Sequence, residues 1–151
     1  MKILAVLQNQ WFHDPERMRA ILERGLARGG LRHDFTARTL FMGCRTGQIL
    51  KSELGVEWCR KIVWAEASPE IGGRASSCFP ADPIHLQAVL AEINPDVVLA
   101  FGRIASDALV ALIPADKLIV GPHPTARGPD VPKRLREMRA ALEALNEGLE
   151  G

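Results

Sequence analysis

Short apolar runs alternate with amphipathic segments along almost the whole chain. Continuous apolar runs of this length are typical of strands buried on both faces of a parallel sheet. ILAVL at residues 3–7 is such a run, and CRKIVWAEA, DVVLAFG and KLIVG, at residues 59–67, 96–102 and 117–121, are predicted as three further strands. The segments between them carry apolar residues at helical spacing, which predicts right-handed β-α-β crossovers. We therefore expect the 151 residues to form one domain, residues 1–151, with a three-layer α/β/α architecture around a four-stranded, mostly parallel sheet.

Two helix starts are marked by an Asp-Pro pair. Asp14-Pro15 and Asp82-Pro83 each place a capping carboxylate before a proline that suits the first helical turn. At Asp14 the cap explains the carboxylate better than a catalytic acid does. Residues 31–44 follow no clear period, and they are compatible with a short strand or with an active-site loop.

Composition limits the partners and cofactors. The formal net charge of +1 gives no global basic field, so contact with DNA would need a local patch of Lys and Arg. The last predicted helix offers such a patch, although a solvated helix face explains it as well. The three cysteines form no C-x-x-C pair, so we expect neither a zinc site nor a disulfide framework. We also expect no other metal and no cofactor. Neither a signal peptide nor a membrane span is recognisable, so we expect a cytoplasmic protein without membrane contact.

Ligands of open parallel sheets bind beyond the carboxyl ends of the strands. Four loops meet that condition: Gln8–His13, Glu66–Pro80, Gly102–Ile104 and Gly121–Pro129. In the last of them, GPHPTARG, Pro122 and Pro124 restrict the backbone on both sides of His123. The pattern fits a histidine presented to a ligand, and it also fits a stiff turn with an exposed histidine.

Two further stretches allow a functional and a structural interpretation. LQNQWF carries the amides of Gln8 and Asn9 together with apolar surface from Trp11, which suits a ligand-facing loop or a lid over the core. FMGCRTGQIL places Gly43 and Arg45 where backbone amides could approach phosphate, or where a turn leads into a helix.

Taken in this order along the chain, LQNQWF, FMGCRTGQIL, PDVVLAFGRIA and HPT resemble the motifs of the uracil-DNA glycosylase superfamily. Asn9 falls on the position that holds Asp or Asn in several branches. FMGCRTGQIL resembles the F-V-G-R-A-G-Q-L-L of the iron–sulfur branch with one residue inserted at Cys44, and HPT at 123–125 resembles H-P-S. The resemblance implies a uracil-DNA glycosylase-like fold and hydrolysis of the N-glycosidic bond to a flipped, deaminated base in DNA.

The resemblance also implies roles for individual residues. Asn9 would orient water and His123 would donate a hydrogen bond to the departing base, which makes these two the catalytic candidates. The residues expected to contact the base are Gln8, Trp11, Phe41 and Glu66. The residues expected to contact DNA are Gly43, Arg45, Pro124, Thr125 and Arg127.

The chain also departs from the superfamily pattern. Leu7 stands where a glycine precedes the first motif, Gln10 replaces its proline, and the four cysteines of the iron–sulfur branch are not present. The asparagine that reads uracil after the second strand has no counterpart, and Glu66 is the nearest polar residue. Two alternatives therefore stand beside the enzyme: a catalytically degenerate module of this fold that binds DNA, and a nucleotide-binding α/β domain unrelated to DNA.

Overall fold

The main sheet contains four parallel strands in the order β3-β1-β5-β6. The computed structural model describes residues 1–150, and the side chains of residues 1–148. Along the chain the elements are β1 (Ile3–Leu7), β2 (Gln10–Trp11), α1 (Pro15–Ala27), α2 (Arg32–Phe41), α3 (Arg45–Glu53), α4 (Val56–Lys61), β3 (Ile62–Glu66), β4 (Ile71–Gly72), α5 (Pro83–Ile93), β5 (Val97–Phe101), α6 (Arg103–Val110), a 3-10 turn (Ala115–Lys117), β6 (Leu118–Gly121) and α7 (Val131–Glu150).

The two central strands are buried along their whole length. Every residue of β1 and β5 is buried, and β1 pairs in parallel with β3 on one edge and with β5 on the other. Strands in this position have no polar face, which is why their sequences are unbroken apolar runs. The predicted four-stranded parallel sheet flanked by helices is confirmed.

Alternate residues of each strand feed two separate core layers. On one face, Ile3, Trp64 and Phe101 pack with apolar residues of α2, α3 and α7. On the other face, Leu4, Val98 and Ala100 pack with α5 and α6. The arrangement is consistent with three α/β/α layers, because the period of two along a strand sends neighbouring side chains to opposite faces.

Both Asp-Pro pairs begin helices as predicted. The Asp14 carboxylate accepts a hydrogen bond from the Arg17 N–H at 3.1 Å. The Asp82 carboxylate accepts from the N–H groups of Ile84 and His85 at 3.0 and 3.1 Å. In each helix the proline stands in the first turn, where no N–H partner is required.

Three local features differ from the sequence expectation. Residues 31–44, which allowed a strand or a loop, contain helix α2. The second strand of the sheet begins at Ile62 rather than at residue 59, because Val56–Lys61 forms a short helix that buries Cys59 in the core. The predicted loops Gln8–His13 and Glu66–Pro80 contain the short strands β2 and β4, which pair in parallel and join the two loops.

The helices among residues 1–150 are either too short or too polar to cross a lipid bilayer.

Gly47 allows α3 to pack directly on the end of α2. A Cβ atom placed on Gly47 would overlap the carbonyl oxygen of Leu40. We expect Gly47→Ala to lower the free energy of unfolding by about 1–3 kcal/mol, since the backbone contact would have to open. Urea denaturation measures this change.

Gly25→Ala is the matched control. A Cβ atom at Gly25, inside α1, would meet no atom within 4 Å. We expect it to leave stability unchanged or to raise it by up to about 1 kcal/mol. Equal stability losses in the two variants would contradict the packing role of Gly47.

Candidate functional site

The strands β1, β5 and β6 are parallel, so the three chain segments that follow them emerge at the same end of the sheet. Asn9 follows β1, Gly102 follows β5, and His123 follows β6. The chain runs from β1 outward to β3 and then returns past β1 to β5 and β6, so the strand order reverses between β1 and β5. The crevice at such a reversal is where ligands of doubly wound sheets bind.

His123 is held against the end of β5. Gly102 has a φ of +92°, and a Cβ atom there would lie 3.3 Å from the Cβ of His123. The Gly102 N–H also donates to the Gly121 carbonyl at 2.9 Å. Residues 122–130, between β6 and α7, form the His123 loop. Gly102 adopts the positive φ and leaves the space that this loop needs to pack against the end of β5.

Thr125 fixes the tautomer of His123. The Thr125 N–H lies 3.2 Å from His123 Nδ1, and its hydroxyl Oγ1 lies 2.9 Å from the same nitrogen. A backbone N–H can only donate, so Nδ1 is the acceptor and the proton of the neutral ring sits on Nε2. Burial lowers the pKa of His123 below its ordinary value, which keeps the half-buried ring neutral at neutral pH.

Asn9 braces the loop that follows β4. Its Nδ2 donates to the carbonyls of Gln10 and Ser77 at 3.1 and 3.2 Å, and its Oδ1 accepts from the Phe79 N–H at 3.4 Å. Gln8 adds a contact of 2.7 Å from Nε2 to Cys78 Sγ. Both ends of the Asn9 amide thus hold the backbone, and Oδ1 retains one lone pair for a further donor.

Phe41 lies at the end of α2 and joins the core. Its ring meets Trp64 edge-on with centroids 5.3 Å apart, and Trp64 stacks on Phe101 at 6.0 Å. Phe41 remains half-buried. Trp11 is 39% exposed and contacts His13 edge-to-face, so it leaves apolar surface beside the first loop.

The residues expected to contact DNA fall into two groups. Arg45 and Pro124 line one groove of about 390 Å³ between α3 and the loop before α7, and Pro124 is itself buried. Gly43, Thr125 and Arg127 are exposed. Arg45 and Pro124 are 79 positions apart in the sequence, and the fold places both on the wall of this groove.

The last helix carries fewer free cations than its sequence suggests. Arg136 forms an ion pair with Glu53 at 2.8 Å, and Arg139 forms one with Glu143 at 2.9 Å. Lys133 and Arg134 are exposed and directly follow Val131 and Pro132, which line the groove. The local basic surface available to a polyanion therefore rests mainly on Arg45, Arg127, Lys133 and Arg134.

Glu66 lies inside the protein at the end of the edge strand β3, with 1% of its surface exposed. Thr36 Oγ1 lies 2.6 Å from its Oε1, and Arg32 Nε lies 3.7 Å from its Oε2. Burial raises the pKa of Glu66, while Arg32 and the Thr36 hydroxyl lower it by smaller amounts. A cavity of about 190 Å³, lined also by His85, adjoins this cluster.

The structure brings together some predicted site residues and separates others. Neither the groove nor the smaller cavity is lined by Asn9, Phe41 or His123. Glu66 belongs to the outer strand on one side of the sheet, while His123 follows the outer strand on the other. Among residues 1–148, no cluster of three His, Cys, Asp or Glu side chains is arranged to hold a metal ion.

Sequence reasoning missed four polar residues that the fold places near these sites. They are Gln10, Arg32, Thr36 and His85. Gln10 Nε2 donates to Thr39 Oγ1 at 2.7 Å, while its Oε1 is buried with no partner in the described part of the chain. A threonine at position 36, one turn before the apolar Leu40, was the available signal, because a polar residue in a core-facing stripe requires a buried partner.

Comparison with protein-family models, with curated proteins and with solved structures finds no match to this chain.

The tautomer of His123 is directly measurable. We expect nitrogen-15 NMR to find the proton of the neutral ring on Nε2, and the titration midpoint to lie below the ordinary value of 6.5. Because the folded-state pKa is lowered, His123 contributes stability above pH 6.5 that is lost as the pH falls through its folded-state value. A proton on Nδ1, or a midpoint above the ordinary value, would contradict this arrangement.

Glu66 should have the opposite effect on stability as the pH changes. Its folded-state pKa is raised, so its contribution is complete below the ordinary value of 4.5 and is lost as the pH rises through the folded-state value. Relative to Glu66→Gln, the wild type should therefore lose stability as the pH rises above the ordinary value of 4.5, as measured by urea denaturation. Glu70→Gln, an exposed residue of the same loop, is the control and should show no such trend.

Proposed function

We propose that the protein recognises a nucleobase at the carboxyl edge of its sheet and hydrolyses the N-glycosidic bond of a flipped, damaged base in DNA. The observation that carries the proposal is the geometry of His123. Thr125 holds Nδ1 as an acceptor, which leaves Nε2–H as a neutral donor on the loop that follows β6, at the end of the sheet where ligands of doubly wound sheets bind.

A donor of this kind suits the departure of a base as an anion. Negative charge develops on a base oxygen as the glycosidic bond breaks, and a neutral N–H that is already in place stabilises that charge without reorganisation. Removal of one such donor typically costs about 3–4 kcal/mol of transition-state stabilisation.

The surface beside His123 supports contact with a polyanion. The groove lined by Arg45 and Pro124 continues from the His123 loop, and Arg127, Lys133 and Arg134 are exposed near it. Because the whole chain has a net charge of only +1, this local surface would provide most of the attraction to DNA phosphates.

Asn9 would have a limited role in the reaction. An amide cannot act as a general base, and Asn9 Nδ2 already donates to two carbonyls. The free lone pair of Oδ1 could accept one hydrogen bond from water. The rate would therefore depend mainly on stabilisation of the leaving base by His123.

A second candidate function is a binding module of this fold without catalysis. The observation that favours it is that both ends of the Asn9 amide brace the loop at residues 77–79. In this alternative, His123 would still donate to a base carbonyl, and the bound base would not be released from its sugar.

The decisive experiment offers oligonucleotides carrying uracil, hypoxanthine or xanthine, single-stranded and duplex, followed by alkaline cleavage. We expect abasic product from at least one of them, with a rate about 10²–10³-fold lower for His123→Ala. His13→Ala, which removes an exposed histidine, is the matched control and should keep the rate.

The other outcomes separate the alternatives. DNA retention that weakens with salt, without abasic product at high protein concentration, would replace the enzyme with the binding module. Binding of free nucleotides with no DNA retention at low salt would replace both with a nucleotide-binding domain. Equal rates for wild type and His123→Ala would remove His123 from the reaction.

A further inference from the structure

A second polar site lies along the outer, unpaired edge of strand β3, on the opposite side of the main sheet from His123. β3 pairs only with β1 in the main sheet, and the cavity of about 190 Å³ opens along its outer edge. Helix α2 contributes Arg32 and Thr36 to the cavity wall, and α5 contributes His85. The cavity therefore spans the edge of β3 between the two helical layers.

Glu66 and Arg32 place unlike hydrogen-bonding groups side by side. Glu66 Oε1 is occupied by the Thr36 hydroxyl at 2.6 Å, while Oε2 lies 3.7 Å from Arg32 Nε, which is too far for a hydrogen bond. Arg32 Nη2 is held by the Pro69 carbonyl at 2.9 Å. One carboxylate oxygen and one guanidinium N–H thus stand next to each other with bonding capacity to spare.

Two nitrogens of the same cluster have no hydrogen-bond partner among the described residues. Arg32 Nε and His85 Nε2 are buried and make no hydrogen bond within residues 1–148. Buried polar groups in folded proteins are nearly always paired, so unpaired ones indicate a missing ligand or water. Within residues 1–148, two buried nitrogens of the cavity, Arg32 Nε and His85 Nε2, therefore lack hydrogen-bond partners, and Glu66 Oε2 has only the 3.7 Å ion pair with Arg32.

The cavity also limits the size and charge of an occupant. Its volume of about 190 Å³ matches that of roughly six molecules in liquid water, so a small ring fits inside. Val63, Ala65 and Val89 give it apolar walls. The Glu66 carboxyl offers an acceptor and the Arg32 guanidinium offers a donor, so the site suits a neutral occupant that carries one group of each kind.

We propose that this cavity binds a small, neutral, planar lactam, a ring that presents an N–H beside a carbonyl oxygen. The ring N–H donates to Glu66 Oε2, the carbonyl accepts from Arg32 Nε, and His85 Nε2 meets a further heteroatom of the ring. The apolar walls cover the faces of the ring. Free nucleobases belong to this ligand class, but the site is independent of the function proposed for His123.

Histidine signals report the site directly, because the chain contains four histidines and two of them, His33 and His85, line the cavity. We would titrate uracil and hypoxanthine into the labelled protein and follow the ring C–H resonances by NMR. We expect saturable shifts of His33 and His85 with His13 unchanged. 1,3-Dimethyluracil keeps the carbonyls but lacks the N–H donors, and it should give no such shifts.

Two variants test the contacts. Glu66→Gln should weaken binding about tenfold to a hundredfold, since it replaces one of the two carboxyl oxygens with an NH₂ donor. Should Glu66→Gln fold poorly, Ala88→Trp tests the same cavity from an exposed wall position and should abolish the shifts of His85 by filling the space. His123→Ala should leave binding at the cavity unchanged.

The remaining outcomes would overturn the proposal. Shifts confined to His123, and lost in His123→Ala, would assign lactam binding to the carboxyl edge of the sheet and not to this cavity. Shifts of His85 with acetate or inorganic phosphate in place of the lactams would make the site an anion site. No shift of His85 with either lactam at millimolar concentration would leave the unpaired nitrogens to ordered water.

Discussion

β1 is bonded to neighbouring strands on both edges and covered by helices on both faces, and every other part of the molecule is placed relative to it. Because all four strands of the main sheet are parallel, their carboxyl ends meet at one edge. Burial of β1 thereby fixes where Asn9, Gly102 and His123 emerge. Asn9, Gly102 and His123 are far apart in the sequence, so the packing of the parallel strands is what brings them together.

Close backbone contacts then refine that edge. Gly102 accepts the approach of His123, and Gly47 lets α3 rest on α2 beside the groove. A side chain at Gly47 would force the two helices apart, and one at Gly102 would strain the positive-φ backbone and crowd His123. Thr125 completes the arrangement from within the His123 loop itself, because it orients the imidazole through a contact two residues away. The position of His123 therefore depends both on its packing against Gly102 and on the hydrogen bond from Thr125 to its Nδ1.

The polar cluster at β3 is built differently. Thr36 and Glu66 are 30 positions apart and meet only because α2 packs on β3. Arg32 and His85 approach from helices on opposite faces. Sequence reasoning singled out Glu66 alone, since no spacing rule links residues on three separate elements. It also left residues 31–44 open, because the inner face of α2 mixes Thr36 with Leu40 and weakens the apolar period.

The sequence by itself determined the parallel sheet, the two Asp-Pro helix starts and the loops that reach its carboxyl edge, because apolar runs, caps and prolines act locally. It also determined that His123 stands between two prolines. Only the tertiary structure decided which nitrogen of His123 carries the proton, that Asn9 braces a loop, and that Glu66 lies buried beside unpaired nitrogens. Those properties depend on burial and on contacts between distant segments, which no local pattern encodes.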